Sequence, residues 1–194
     1  MLKRSFDFTL SSIGLVLSSP LWLLFSVAIK LEDRGPVFYS QERVGKGDRI
    51  FKALKFRSMI PDAEKHTGAV WASENDPRVT KVGRILRATA MDELPQLWNI
   101  FKGDMSFVGP RAERPELVEQ FAREIRNYRQ RFVVRPGLTG IAQVYGKYDT
   151  PPHHKLKYDL LYIRKQSFWL DLKLIFLSFW ITFRGKWESR EKKV

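Results

Sequence analysis

Residues 86–111 read LRATAMDELPQLWNIFKGDMSFVGPR, and this stretch decides the fold because it joins an acidic pair to a short apolar helix. Asp92 and Glu93 are adjacent, Arg87 precedes them in the same segment, and Arg111 ends it. Apolar residues then recur at helical spacing as far as Gly103, and a glycine suits the C-terminus of a helix. The pattern predicts a helix that carries the acidic pair at its N-terminus.

The acidic pair has two interpretations. A carboxylate at a helix N-terminus faces unpaired backbone N–H groups and the positive end of the helix dipole, so it stays ionised. An ionised carboxylate can act as a nucleophile or bind a metal, and flanking arginines can bind phosphate through paired hydrogen bonds. However, Asp-Glu before an apolar run is also an ordinary helix start. Spacing alone leaves both roles open.

Composition limits the classes of partner. The chain has 194 residues, 44% of them hydrophobic, which suggests one domain with room for an appendage. A net charge of +13 indicates an anionic partner: nucleic acid, an anionic membrane or a phosphorylated substrate. The absence of cysteine excludes disulfides and thiolate metal sites and is compatible with the cytoplasm. Six Trp and fourteen Phe favour a membrane surface over nucleic acid.

The N-terminal segment is long and apolar. Residues 8–29 carry no charged side chain, and about twenty apolar residues suffice to span a bilayer. Ser19 and Pro20 lie near the middle, where proline removes a backbone donor and serine can bond the carbonyl that is freed. Because both flanks are basic, the positive-inside rule gives no orientation. A kinked span and a re-entrant helical hairpin both fit, and physical chemistry alone favours the span.

The segment after this one predicts a β-hairpin. Residues 37–39 and 50–54 read as short strands, and residues 45–48 supply the turn. Lys55 and Arg57 follow directly and could bind phosphate or a lipid headgroup. The alternative is a strand edge with solvated charges, which is the more common case.

The second half predicts two further helices and a constrained turn. Residues 116–132 form an amphipathic helical pattern, and Gly137 and Gly140 follow Arg135 in a turn where the backbone can approach a ligand closely. Residues 160–183 are rich in Leu, Ile, Phe and Trp, with Ser167 as a candidate helix cap. This stretch fits an amphipathic helix in the plane of the membrane surface and a buried core helix equally well.

Together these motifs resemble the bacterial sugar transferase family, the monotopic phosphoglycosyl transferases, over nearly the whole chain. The residues that carry the resemblance are Ser19-Pro20, residues 55–59, residues 92–97 with Asn99, residues 102–106 and 108–111, and residues 135–140 with 142–144. Several long motifs in the same order are far more specific than one short pattern. Residues 112–115 are similar to the branch that builds exopolysaccharides, because Ala112 stands where the family often has proline.

The resemblance implies an α+β fold that is mostly helical. Residues 1–34 would form a re-entrant membrane helical hairpin that breaks at Ser19 and Pro20, which reverses the preference for a span. Residues 35–194 would form a cytosolic, membrane-associated catalytic domain with a small β-hairpin and a C-terminal interfacial helix at about 160–184. The expected location is the cytoplasmic face of the bacterial inner membrane.

The resemblance also implies the chemistry. A sugar-1-phosphate would pass from a UDP-sugar to polyprenyl (undecaprenyl) phosphate, with release of UMP and a covalent phosphosugar on Asp92. Asp92 and Glu93 would be the catalytic residues, and Asp92 would also bind Mg²⁺. The expected phosphate-binding residues are Arg87, Arg111, Lys55, Arg57, Arg135 and Lys147. Relatives commonly carry arginine in place of Lys147, and lysine cannot bind phosphate bidentately.

Two alternatives stay open at this point. The same transfer could be direct, in a ternary complex, with the acidic pair only holding Mg²⁺. The chain could also be a non-catalytic basic protein of the membrane surface. The expected partners include membrane lipids but no nucleic acid, and exposed aromatic residues are compatible with a homodimer. Glucose or galactose is the sugar that the exopolysaccharide-like segment favours.

Overall fold

In the computed structural model, the first helix, α1 (Leu2–Asp33), is uninterrupted. The structure describes residues 2–63, 65, 73, 76–147, 149–184 and 187. Pro20 lies inside α1 and has no N–H for the carbonyl of Val16. The hydroxyl of Ser19 donates to that carbonyl instead, at 2.8 Å. The predicted break into two hairpin helices is therefore not found in the secondary structure, because Ser19 replaces the missing hydrogen bond.

One side of α1 packs on the rest of the protein and the other does not. Ile29 is buried against Phe56 and Leu86, whereas Leu17 and Leu24 on the open side are 74% and 60% exposed. Within the described residues, α1 is the helix whose length and apolar composition suffice to cross a membrane.

The predicted β-hairpin is present and its strands are longer than expected. β1 (Phe38–Val44) pairs antiparallel with β2 (Ile50–Phe56), from Phe38 opposite Phe56 to Val44 opposite Ile50. A 3₁₀ turn at Lys46–Asp48 joins them, with Gly47 at a φ of 65°. This φ lies in the left-handed region that glycine adopts without steric cost.

The acidic pair lies between two helices rather than on the first turn of one. α2 covers Lys81–Ala88, the 3₁₀ turn Met91–Glu93 contains the pair, and α3 covers Gln96–Lys102. The prediction of a helix that begins at the pair was wrong because the residues up to Pro95 form a separate turn after Ala90, whose φ is 55°. Gly103 ends α3 as predicted, with a φ of 96°.

A second, parallel sheet was not predicted. β3 (Ser106–Val108) pairs with β4 (Gly137–Thr139), and Gly137 lies so close to Gly109 that a Cβ on Gly137 would be 2.0 Å from the Gly109 nitrogen. The glycines predicted to allow close approach to a ligand therefore allow close approach of one backbone to another.

Both long helices predicted for the second half are divided. α4 (Pro115–Glu124) is followed by a separate 3₁₀ turn at Tyr128–Val133, because Asn127 adopts a φ of 62°. After the short α5 (Ile141–Tyr145), α6 spans Pro152–Lys165 and α7 spans Phe168–Phe183.

The hydroxyl of Ser167 caps α7, as predicted, by accepting from the Leu170 N–H at 3.2 Å. Leu174 and Ile181 on α7 are fully buried, whereas Phe176 and Phe179 are exposed. α7 thus has both a core face and an open aromatic face, and the position of α7 at a membrane surface stays a prediction.

Candidate active site

A cavity of about 890 Å³ opens beside the acidic pair. Asp92 and Glu93 form part of its wall, and many basic side chains surround them. The basic residues that line it are Arg43, Lys55, Arg57, Lys65, Arg87, Arg111, Arg114, Arg131, Lys147 and Lys155. A pocket with this charge suits a ligand that carries several negative charges, such as a nucleoside diphosphate.

Asp92 contributes a largely buried carboxylate to the cavity wall. Its exposed fraction is 7%, and the Lys55 ammonium lies 3.6 Å from its Oδ2 atom. The 3₁₀ turn between α2 and α3 fixes its backbone, and Arg87 from the last turn of α2 lines the same cavity. An aspartate carboxylate is a group that can act as a nucleophile toward phosphorus.

Glu93 binds two cations through both of its oxygens. Lys55 donates to its Oε1 at 2.6 Å, and the two terminal nitrogens of Arg111 bind Oε1 and Oε2, the latter at 3.2 Å. Burial by itself raises the pKa of Glu93, but Arg111 and Lys55 outweigh it and hold that pKa well below its usual range. The charge of Glu93 in turn raises the pKa of the partly exposed Arg111 guanidinium. Glu93 therefore orders the cations around Asp92.

The backbone that carries Arg111 is held at four successive carbonyl groups, those of residues 110–113. Each carbonyl accepts a hydrogen bond of 2.8–3.0 Å from a different part of the chain. The donors are, in order, the Gly137 N–H, the Arg131 guanidinium, the Arg43 guanidinium and the Val44 N–H. This arrangement fixes Arg111 at the cavity. It also shows that Arg43 and Arg131, two of the arginines that line the cavity, bind the backbone next to it.

Arg131 is itself buried in a charged cluster. Its guanidinium lies 2.7 Å from a carboxylate oxygen of Asp159 on α6, and both side chains are 2% exposed. It also donates to the Tyr128 hydroxyl. Sequence reasoning missed Arg131, Arg43 and Lys155, because single charged residues within amphipathic segments carry no motif that separates them from solvated ones.

Two of the predicted phosphate ligands, Arg57 and Arg135, bind other parts of the protein in this structure. Arg57 lines the cavity, but its guanidinium is paired with both oxygens of Asp33 at the end of α1 and donates to the Pro36 carbonyl. Hydrogen bonds from Arg57 lower the pKa of Asp33. Arg135 does not line the cavity, because its Nε donates to the Gly103 carbonyl at the end of α3, at 2.8 Å. The other predicted site residues all lie on the cavity wall.

The donor atoms of this cavity fit a magnesium ion that is held mainly by substrate. The described part of the chain contains no group of three or more His, Asp or Glu side chains arranged to hold a metal. Within the acidic pair, Glu93 is bound closely by two cations, so Asp92 is the member of the pair that would contribute a ligand. Mg²⁺ is commonly bound by one or two carboxylates together with phosphate oxygens, and this pocket has room for both.

The sequence profile of the family described as Bacterial sugar transferase matches residues 1–185, and the chain belongs to that family. It is similar to the UDP-N-acetylgalactosamine-undecaprenyl-phosphate N-acetylgalactosaminephosphotransferase of Aeromonas hydrophila, with 47% identity over 90% of this chain and 42% of the relative.

Two other relatives carry different names. The UDP-glucose:undecaprenyl-phosphate glucose-1-phosphate transferase of Klebsiella pneumoniae is 44% identical over 95% of this chain and 40% of its own length. The exopolysaccharide production protein ExoY of Rhizobium meliloti is 40% identical over 91% of this chain and 83% of its own length. The chain therefore spans about two fifths of the first two relatives and most of ExoY.

Proposed function

We propose that the chain transfers a sugar-1-phosphate from a UDP-sugar to undecaprenyl phosphate and releases UMP. The observation that carries this proposal is the buried carboxylate of Asp92 on the wall of a cavity that is rich in arginine and lysine. The names of the relatives from Aeromonas hydrophila and Klebsiella pneumoniae describe this class of reaction. A non-catalytic anion binder would have no use for a buried carboxylate pair among its cations.

The transfer takes place in two displacements on Asp92. A carboxylate oxygen of Asp92 forms a bond to the phosphorus that bears the sugar, and the bond from that phosphorus to the UMP oxygen breaks. A phosphate oxygen of the acceptor then attacks the same phosphorus, and the Asp92–phosphorus bond breaks. Covalent catalysis lets two bulky substrates use one site in turn. The competing mechanism is direct transfer in a ternary complex.

The cations of the cavity stabilise the negative charge during both steps. Arg111 and Lys55 are held beside Asp92 by Glu93, and Arg87 and Lys147 line the same wall. Such fixed charges stabilise phosphoryl transfer because they need no reorganisation when the charge moves. Asp92 would also hold Mg²⁺, which would supply further charge neutralisation on the donor phosphates when bound.

We also propose that α1 enters the membrane and returns to the cytoplasmic face. Both of its ends contact the remainder of the protein: Lys3 donates to Asp171 of α7 at 2.6 Å, and Asp33 pairs with Arg57, the residue that directly follows β2. A helix that crossed the bilayer would carry one of these ends to the far side. Residues 1–34 would thus be the membrane segment and residues 35–194 the catalytic domain.

The open face of α7 supports an interfacial position for that helix. Trp169, Phe176, Phe179 and Phe183 are each at least 70% exposed, and aromatic residues favour the headgroup region of a bilayer. Membrane lipids are therefore partners in this proposal, and the active site lies where the acceptor phosphate is found. A homodimer stays a prediction from the sequence.

The sugar is a hexose or an N-acetylhexosamine in this proposal. The names of the relatives mention N-acetylgalactosamine and glucose, and the relative from Streptococcus agalactiae is named a galactosyl transferase. Glucose and galactose remain the sugars that the exopolysaccharide-like residues 112–115 favour.

A panel of UDP-sugars tests the reaction. The full chain in detergent or nanodiscs is incubated with each donor, Mg²⁺ and undecaprenyl phosphate, and UMP and the lipid-linked product are measured. One donor should yield UMP and an undecaprenyl diphosphate sugar in equal amounts, and Asp92→Asn should yield neither. Comparable turnover by the Asp92→Asn variant would contradict the role of Asp92.

A further inference from the structure

One end of α1 caps the N-terminus of α2, the helix that precedes the acidic pair. The side chain of Glu32 accepts from the Lys81 N–H at 2.6 Å and from the Val82 N–H at 3.1 Å. The first backbone N–H groups of a helix have no partner within it. Glu32 supplies two of the acceptors they need here and places its negative charge at the positive end of the helix dipole.

The other end of α1 caps the C-terminus of α3, the helix that follows the acidic pair. The two terminal nitrogens of Arg4 donate to the carbonyls of Ile100 and Phe101, both at 2.6 Å. The last carbonyls of a helix need hydrogen-bond donors, and this end of the helix dipole is negative. A guanidinium donates to the carbonyls and brings a compensating positive charge. Arg4 and Glu32 therefore hold the outer ends of the two helices that border Asp92 and Glu93.

The body of α1 also touches these two helices near the pair. Ile29 packs in one buried cluster with Leu86 of α2. Further along, α1 lies so close to α3 at Gly14 that a Cβ there would be 3.2 Å from a Leu97 methyl carbon. A single continuous helix thus contacts the chain on both sides of the 3₁₀ turn at Met91–Glu93.

We propose that Glu32 and Arg4 are positioning residues for the acidic pair, so that the membrane helix forms part of the catalytic scaffold. This inference rests on the proposed function, in which Asp92 is the reacting group. The path from Glu32 to the pair is short: α2 ends at Ala88, and the Ala90 N–H donates to the Arg87 carbonyl at 3.2 Å. A shift of α2 would move this turn, and displacement of a reacting group by about 1 Å can lower a rate about 100-fold.

Substitutions at Glu32 test the proposal in the full chain in nanodiscs. Glu32→Ala removes both acceptors, and we expect kcat for UMP release to fall about tenfold. KM for the UDP-sugar should change by less than about twofold, because the cations of the cavity are untouched. Glu32→Gln keeps one acceptor oxygen and should recover a large part of kcat. Arg4→Ala removes the contact between the other end of α1 and α3, and it should lower kcat by a similar factor.

Glu119→Ala is the matched control. Glu119 is an exposed acidic residue of α4 that pairs with Arg129, and neither residue lines the cavity. Its removal should leave kcat unchanged. Hydrogen exchange of residues 90–94 gives a second readout, and exchange should become faster in Glu32→Ala and not in Glu119→Ala.

The outcomes separate the inference from the proposed function. If the wild-type chain releases UMP and Glu32→Ala releases it at the same rate per folded molecule, the positioning role is overturned while the proposed function stands. A loss in kcat that Glu32→Gln does not recover, accompanied by a matching rise in KM, would also overturn it. If the wild-type chain releases no UMP from any donor, the proposed function fails and the positioning role in that reaction fails with it.

Discussion

Glu93→Gln is the substitution that most directly tests how the site holds its cations. The change is nearly isosteric, but it removes the negative charge that both Lys55 and Arg111 face. One amide oxygen can still accept a hydrogen bond, whereas the amide nitrogen would face a cation. Lys55 and Arg111 would then repel each other without a carboxylate between them.

The structure gives the size of the effect. Loss of one partner of a fully buried ion pair costs about 3–5 kcal/mol of stability. Glu93 is 4% exposed in its side chain, but Lys55 and Arg111 are 21% and 38% exposed and can regain water. Because both cations can regain water, we expect a loss of stability below that range, about 2 kcal/mol. For a domain of this size that loss lowers Tm by about 4–8 °C.

The assay is thermal unfolding at neutral pH together with UMP release. Because the two cations would leave their positions beside Asp92, kcat/KM should fall about 100-fold, as for loss of a transition-state contact. Glu116→Gln is the control, since its carboxylate is 66% exposed and its removal should shift Tm by less than about 1 °C. Wild-type Tm and wild-type kcat/KM in Glu93→Gln would refute this account of the site.

Three further substitutions test separate parts of the account. Arg111→Ala should lower kcat/KM about 100-fold in the UMP assay, and a near-normal value would restrict Arg111 to packing. Gly83→Ala should prevent native folding, measured by protease resistance, because its Cβ would lie 2.0 Å from the Ser58 carbonyl oxygen; a stable, active variant would contradict that packing. Asp33→Asn should lower Tm at neutral pH. Arg57 lowers the pKa of Asp33 in the folded protein, so this stabilisation is complete above the ordinary carboxyl pKa. It is lost as the pH falls from that ordinary pKa through the lowered one. A Tm difference from wild type that does not shrink on acidification would argue against the Arg57 pair.

The parts of the fold that depend on residues close together in the chain were predictable from local sequence patterns. The β-hairpin, the end of α3 at Gly103 and the cap at Ser167 follow from turn chemistry and helix termini, which act over a few residues. The acidic pair and its arginines were also recognisable, because they form one continuous motif.

Long-range pairings were not predictable in the same way. β3 and β4 are only three residues each and lie about thirty residues apart, so their pairing has no periodic signal. Arg57 and Arg135 show the same limit at the level of side chains. An arginine in a motif can bind phosphate, pair with a carboxylate or cap a helix, and its intramolecular partner comes from a part of the chain that a local pattern does not include.

The continuous α1 shows why Ser19-Pro20 is ambiguous in a sequence. Proline removes the hydrogen bond to Val16, and the preceding serine restores it, so the pair permits a helix as well as a break. The contacts of Lys3 and Asp33 with the rest of the protein bear on topology more than the proline does.

Intact-protein mass after incubation with the UDP-sugar and Mg²⁺, without any acceptor, tests the central claim most directly. The account predicts a mass gain of one sugar phosphate, located on Asp92 by peptide mapping, together with UMP release, and neither in Asp92→Asn. UMP release that requires undecaprenyl phosphate, with no mass gain on the protein, would contradict the covalent role of Asp92 and favour direct transfer.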